Sequence, residues 1–498
     1  MNLNLIVILP LLTALALLAG RGLRQVRSIA FIGAVAQLVL GLVLLYAYGQ
    51  QRAAGNAAIM LFETNYSWYA PLHISFHTGV DGISIAMILL TAFVVLAGIL
   101  VSWNVDKLSK EFFFLLVLLS AGAYGFFISL DLFTLFFFLE LAVIPKFMLI
   151  GIWGSGNKAY SAMKLALMLM AGSALVLVGL LGIYFNTVTV DGTHTFDLLQ
   201  IASMNIPLHT QLLFFPFAFV GFGIFAALFP FHSWVPDGHS SAPTAASMFL
   251  AGISMKLGGY GCLRVATFLM PQAAHAYSWI IILLSVIAII YGAFATMMQT
   301  DLKYINAYSS VSHCGFVLLG IGMLTQTAIV GAVMQMVSHG LMTALFFACI
   351  GMIYDRTHTR AVARLGGLLK MMPFISTAFV LVGLCSLGLP GLSGFVAEVT
   401  VFMGSWQNAD HFYRWVTIIA CASIVVTAVY ILRAVGQVIM GPVTDRHYLT
   451  LTDAGWNERL AVVLLSMGIL VIGIAPFWLN ELVRPGAEII MQKLLGAR

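Results

Sequence analysis

The sequence predicts an all-α membrane protein of about fourteen transmembrane helices, and three observations carry that expectation. Hydrophobic residues make up 61% of the 498 residues and charged residues only 8%, against roughly 25% charged in a soluble domain. Mean hydropathy is +1.02 and the apolar character runs the whole length, so lipid is the solvent for most of the fold. The basic residues, finally, gather on one side of the membrane once the spans are drawn.

A crossing helix needs about 20 apolar residues. The first seven spans are expected near 2–20, 28–48, 83–103, 112–130, 132–152, 163–185 and 211–231. The second seven lie near 241–268, 276–299, 304–324, 327–354, 371–404, 412–440 and 458–480, the twelfth being too long for one unbroken crossing. With the N-terminus outside, the inner loops hold Arg21, Arg24, Arg27, Lys107, Lys110, Lys158, Lys164, Lys303, Arg356, Arg360, Arg364, Lys370 and Arg446, and the outer loops only Arg52 and Arg414. One missed helix would exchange the sides of every later loop, so this bias supports the count. Met1 to Gly20 lacks a positive leading region, and its arginines follow it, which favours an uncleaved first helix over a signal peptide.

Two spans carry helix-breaking runs. Phe229-Pro230-Phe231-His232-Ser233-Trp234-Val235-Pro236-Asp237-Gly238-His239 closes the seventh, and Leu387-Gly388-Leu389-Pro390-Gly391-Leu392-Ser393-Gly394 sits inside the twelfth. Irregular backbone at membrane depth persists only where protein or water satisfies it, and breaks five spans apart are how inverted-repeat transporters mark an ion path. A loop and a simple kink are the plainer alternative.

Several chemistries are not called for. Cys262, Cys314, Cys349, Cys385 and Cys421 stand singly in apolar stretches and read as small core residues rather than disulfides or metal ligands. No strand-linked G-x-G-x-x-G, phosphate-binding loop, haem or iron-sulfur spacing occurs. Any redox chemistry is therefore expected in other chains, with no cofactor, metal or nucleic acid held here.

An ionisable side chain at mid-span costs about 2.5–3.5 kcal/mol on insertion scales, so each needs a reason. Five stand well inside spans: Glu140, Lys256, His313, His339 and Glu398. Glu140 lies among phenylalanines and leucines, where burial favours reversible protonation of a carboxyl; packing by hydrogen bond is the alternative. Lys256 is fifteen residues beyond Ser241, too deep to snorkel, so it either alternates between charged and neutral forms or pairs permanently with Glu140 or Glu398. His313 and His339, on successive helices, can pass protons through either ring nitrogen, or be held by backbone carbonyls. Glu398 follows the twelfth-span break by little more than a turn and suits the exit side. Lys146, six residues from the inner end of its span, is expected to snorkel to the surface. The polar loop Gln299-Thr300-Asp301-Leu302-Lys303 reads by itself as a solvated turn. Asp301 and Lys303, with His232, Asp237 and His239 of the first broken run, are secondary candidates for the same line, as is Lys146.

Taken together the motifs resemble the antiporter-like membrane subunits of respiratory complex I, most closely the subunit M branch of bacterial NADH-quinone oxidoreductase. The resemblance rests on Glu140-Leu141-x-x-Ile144-Pro145, on Trp234-Val235-Pro236-Asp237-x-His239-Ser240-x-Ala242-Pro243-Thr244, and on the Ala251-Gly252 stretch carrying Lys256. Gln299-x-Asp301-Leu302-Lys303 through Ser312-His313-x-Gly315, and Gly388-x-Pro390-Gly391 through Phe395-Val396-x-Glu398, complete it.

That resemblance implies one polytopic domain over 1–498: spans 1–3 in 1–111, a five-helix repeat in 112–268, its inverted partner in 276–440, and span fourteen with a tail in 458–498. It implies proton translocation along Glu140, Lys256, His313, His339 and Glu398, driven by quinone reduction in other subunits that hold the quinone, FMN and iron-sulfur clusters. It also implies a multi-pass place in a bacterial inner membrane beside neighbours L and N and the lateral helix of L. The sister subunits L and N tend to carry lysine where Glu398 stands, and a long lateral helix of the L type is not expected here. One departure is notable: the family usually carries a lysine seven residues before His232, and that position is Phe225, with no lysine or arginine anywhere between Lys164 and Lys256. Along an ideal helix Lys146 lies about 9 Å and 240° from Glu140, off its face. A subunit of a sodium/proton antiporter or membrane-bound hydrogenase, or a spacer that has lost conduction, are the competing readings.

Overall fold

Aspartates set where many of the helices begin. In the computed structural model, which describes residues 1–189 and 191–497, Asp81, Asp131, Asp197, Asp301 and Asp410 each accept from backbone N–H groups of the turn they precede, satisfying donors a helix start leaves open. The chain runs α1 (Leu5–Ala19), α2 (Leu23–Ala53), a hairpin of β1 (Leu61–Tyr69) and β2 (Ile74–Val80), then α3 (Gly82–Val101), α4 (Ser109–Ile128), α5 (Leu132–Leu141), α6 (Val143–Trp153), α7 (Lys158–Asn186) and α8 (Leu198–Ser203). α9 (Leu208–Phe225), α10 (Trp234–Ser241), α11 (Thr244–Phe249), α12 (Met255–Gly261), α13 (Pro271–Met297), α14 (Leu302–Gly322) and α15 (Gln326–Thr357) follow. The last are α16 (Pro373–Ser386), α17 (Ser393–Trp406), α18 (His411–Ala434), α19 (Trp456–Ile474) and α20 (Phe477–Leu495).

Among the described residues, ten helical stretches are long and apolar enough to cross a membrane. The four other expected spans fall short for identifiable reasons. α1 has only 15 residues. The stretch 244–267 is divided into short α segments alternating with π-helical turns at Leu250–Ser254 and Cys262–Thr267. α14 carries Asn306, Ser309, Ser310, Ser312 and His313, and the twelfth span divides into α16 and α17.

α15 is the axis of the molecule: its most apolar window is wholly buried, whereas α2 turns most of its surface outward. Around α15 pack α3, α14, α16, α17, α19 and α20. Charged side chains therefore reach α14 and α15 without meeting lipid.

Two elements carry no span-length hydrophobic signal. The antiparallel hairpin docks through Ser75 N donating to Asp131 Oδ2 (3.0 Å) and Leu130 N donating to His77 O (2.8 Å). α20 starts after Pro476 and buries one stripe, Leu479, Leu482, Val483, Gly486, Ala487, Ile490 and Leu494, against α3 and α15. The expected fourteenth span, drawn to 480, thus ends at Ile474, and what was read as a tail is an amphipathic helix. Cys421 is a second correction: four cysteines are buried, but Cys421 is exposed on the outer face of α18, where a small thiol meets no core.

Candidate functional site

Both interrupted stretches close their backbone bonds locally. α9 stops at Phe225, and Trp234 Nε1 donates to Ile224 O (2.9 Å), taking up a carbonyl at the helix end. Between α16 and α17, Gly388 N and Leu389 N donate to Cys385 O and Leu384 O, and Gly388 (φ 76°) and Gly391 (φ 93°) take left-handed backbone. Gly388 also faces a carboxylate: a Cβ there would stand 2.9 Å from Glu398 Oε2. The break is thereby shaped to receive Glu398.

Lys256 opens the buried line. It lies in α12 between the two π-helical turns, a distortion common at functional positions. Gly258 lets α12 press against the end of α9, since a Cβ there would come within 2.4 Å of Ala226 N. The Lys256 ammonium is 1% exposed and donates to Ala251 O (2.6 Å), a carbonyl of the widened turn, and to His339 Nδ1 (2.9 Å). The fixed ion pair with Glu140 or Glu398 is absent, because the imidazole of His339 occupies the place of an anion.

From there the line continues without a charged gap. His339 stacks on His313 with ring centroids 5.3 Å apart. His313 Nε2 meets Ser386 Oγ (3.1 Å), and His313 Nδ1 stands 3.3 Å from Glu398 Oε1. Gln335 Nε2 also reaches His313 Nδ1 at 3.4 Å. One nitrogen cannot both accept from the amide and donate to the carboxylate, so His313 has two mutually exclusive hydrogen-bond states. Such an alternation is what a proton relay requires.

His239 adjoins this line. Fully buried, it stacks on Phe347 at 5.4 Å with both ring nitrogens unpartnered. His232 stacks on Phe229 at 5.4 Å. Asp237 accepts from Lys164 Nζ (2.7 Å) and Tyr304 Oη (3.3 Å). The expected solvated turn at 299–303 keeps Thr300 exposed, but its far end is packed: Asp301 caps α14 and pairs with Arg360 (3.2 Å), and Lys303, 5% exposed, donates to Ala242 O (2.7 Å). Arg360 also donates to Ser240 O, so backbone carbonyls at the end of α10 draw these cations inward.

Glu140 and Lys146 form a separate group. Glu140 Oε1 is buried with no hydrogen-bond partner. Lys146 does not snorkel: it is 1% exposed, its Nζ has no hydrogen-bond partner, and it lies 5.8 Å over the ring of Phe225. The two residues lie on one helical stretch, Leu132–Trp153, loosened at Ala142 (φ −80°, ψ −14°), whose N–H is shared between Phe138 O and Leu139 O (both 3.3 Å), and at Pro145, which cannot donate.

Sequence reasoning missed one buried ion pair. Arg264 and Asp81 are each 2% exposed at the side chain and bonded to each other, beside Tyr260, whose hydroxyl meets Ser84 Oγ (2.9 Å). An arginine two turns past Lys256 in an apolar span was the available signal. His77, between Asp197 (2.6 Å) and Glu63 (3.4 Å), lies outside the spans and gave none. Among the described residues no cluster of three or more His, Cys, Asp or Glu could hold a metal ion.

Comparison with known proteins brings a consistent set of likenesses. The family model described as NADH:quinone oxidoreductase/Mrp antiporter matches residues 129–428. NADH-quinone oxidoreductase subunit M of Rickettsia bellii is 36% identical over 419 residues, 83% of each chain. NAD(P)H-quinone oxidoreductase chain 4-2 of Synechocystis is 37% identical over 446 residues, 88% of this chain and 78% of that one. The fold matches a chain of respiratory complex I from Thermus thermophilus (TM-score 0.89, 24% identity) and one of the Mrp complex from Dietzia (TM-score 0.83, 20% identity), each over 99% of both chains.

Proposed function

The chain belongs to the family of antiporter-like membrane subunits shared by NADH:quinone oxidoreductase and Mrp antiporters, and from that premise we propose that it is the proton-translocating subunit M of a bacterial complex I. The single observation carrying this reading is the buried series in which Lys256 is hydrogen-bonded to His339, His339 stacks on His313, and His313 stands 3.3 Å from Glu398. Its names among relatives favour the respiratory complex over the antiporter.

In this mechanism Lys256 passes a proton to His339 Nδ1, across the hydrogen bond they already share. The stacked imidazoles are not bonded to each other, so transfer between them needs a ring rotation or a bridging water. His313 then releases Gln335 and donates to Glu398 at the break between α16 and α17, from which the proton leaves. Loading of the line starts from Glu140 and the His239 region. The two interrupted stretches belong to two inverted five-helix repeats, 112–268 and 276–440, with the N-terminus outside the bacterial inner membrane. Redox chemistry lies in other subunits, so the chain contributes to an enzyme without a redox centre of its own. Its neighbours are the antiporter-like subunits L and N and the lateral helix of L, and their coupling to this line is conformational and electrostatic.

Proton pumping in inverted vesicles carrying Lys256→Ala, measured with quinone reductase activity and assembly, tests this. An assembled complex whose pumping falls about tenfold or more is the expected result. Undiminished pumping would reject the line as the route.

A further inference from the structure

Resting on the reading just given, we propose that Lys146 is the movable counter-charge of Glu140, its ammonium alternating between the Glu140 carboxylate and the face of Phe225. Three features of the structure lead there. A buried ammonium is normally hydrogen-bonded or ion-paired, yet Lys146 Nζ is buried without a hydrogen bond and rests 5.8 Å over an aromatic ring. A ring face is a holding place for a cation, weaker than a carboxylate and without fixed direction. A buried oxygen of Glu140, six residues earlier on the same helical stretch, is likewise unpartnered.

The backbone supplies the means of approach. Both residues belong to one bent stretch, α5 and α6, interrupted at Ala142 and lacking a donor at Pro145. Closing the pair therefore requires no movement between separate helices. A lysine ammonium swings on a flexible four-carbon stem, so the side chain alone carries it between the two positions. With the ammonium over Phe225, Glu140 has no counter-ion and favours a proton; with the ammonium on the carboxylate, Glu140 favours release. Phe225 thus acts as the open-state rest, a positioning residue rather than a carrier.

The test uses the intact complex in inverted vesicles, reading proton uptake, quinone reduction, and electron transfer to an artificial acceptor that bypasses the membrane arm. Lys146→Met is expected to lower pumping and coupled quinone reduction about tenfold with bypass activity unchanged. Lys146→Met/Phe225→Lys, which returns an ammonium to the same space from α9, is expected to recover most of the loss. Phe225→Leu, keeping the lysine but removing the ring, is expected to cost about threefold. Wild-type pumping in Lys146→Met overturns the proposal; if that variant does not assemble, an assembled but non-pumping double variant, or unaffected Phe225→Leu, overturns it. Lys256→Ala run alongside separates the failures. Loss there with Lys146→Met unaffected removes only the role of Lys146, whereas no effect in either removes the proton-relay reading itself.

Discussion

Between Lys256 and Glu398 each ionisable side chain has a hydrogen-bond or ion-pair partner, with His339 Nε2 left over, whereas neither Glu140 Oε1 nor Lys146 Nζ has any hydrogen bond. Both regions place charge in apolar surroundings, and both are held by interrupted helices. The difference lies in what fills the space between groups. In the first, two imidazoles stand between the lysine and the carboxylate, the four side chains coming from α12, α14, α15 and α17. In the second, one aromatic ring holds one cation. A line of groups in polar contact suits transfer; a loosely held pair is easily reset and suits control. Asp81 and Arg264 mark the opposite extreme, an ion pair at 2% side-chain exposure with only Arg264 Nε left over, an arrangement that suits anchoring of α3 to the 262–267 turn.

The sharpest way to break this contrast is at the far end of the line. Glu398→Gln keeps the volume and the approach to Gly388 but removes the titratable group. Proton uptake by inverted vesicles should fall by about two orders of magnitude, the usual effect of losing an acid-base group, with assembly preserved. A rate within a factor of two of the wild type would show that the connected line is merely structural.

Arg264→Met probes the anchoring extreme. Leaving Asp81 buried and unpaired should destabilise the subunit by about 3–5 kcal/mol, seen as loss of intact complex on native gels after mild heating. The surviving complex should pump with an unchanged proton-to-electron ratio. A lowered ratio in fully assembled complex would move Arg264 from the anchoring group to the functional one.

How much of this was legible in the sequence follows the same physics. Membrane class and most helices were legible because hydropathy over about 20 residues is a strong signal. The residues of the line stood out because an ionisable group in an apolar span is costly and seldom accidental. Their partners were not legible: Lys256 meeting His339 rather than a carboxylate depends on how α12 and α15 cross, and no spacing along one helix encodes that. Lys146 was misjudged because the snorkelling argument counts residues to the span end and says nothing of which face the side chain takes, here the buried one against Phe225. α20 escaped notice because Glu481, Arg484, Glu488 and Lys493 dilute its hydropathy while its apolar stripe still packs. The hairpin was hidden because a two-stranded element draws its stability from docking, here on Asp131, rather than from its own pattern.

That docking offers the mildest test, outside the membrane. Burial opposes protonation of His77, but the carboxylates of Asp197 and Glu63 outweigh it and hold the imidazole pKa above its ordinary value. A raised pKa in the folded state means that the clamp contributes fully below about pH 6.5 and is lost as pH rises through the folded value. Amide exchange of β2 should therefore slow roughly threefold, the size of one ordinary hydrogen bond, as pH falls below that range, after correction for intrinsic exchange. His77→Gln should flatten the response. A hairpin whose protection is independent of pH in both proteins would mean that Ser75 and Leu130 hold it unaided, leaving His77 with no share in fixing the N-terminal end of α5.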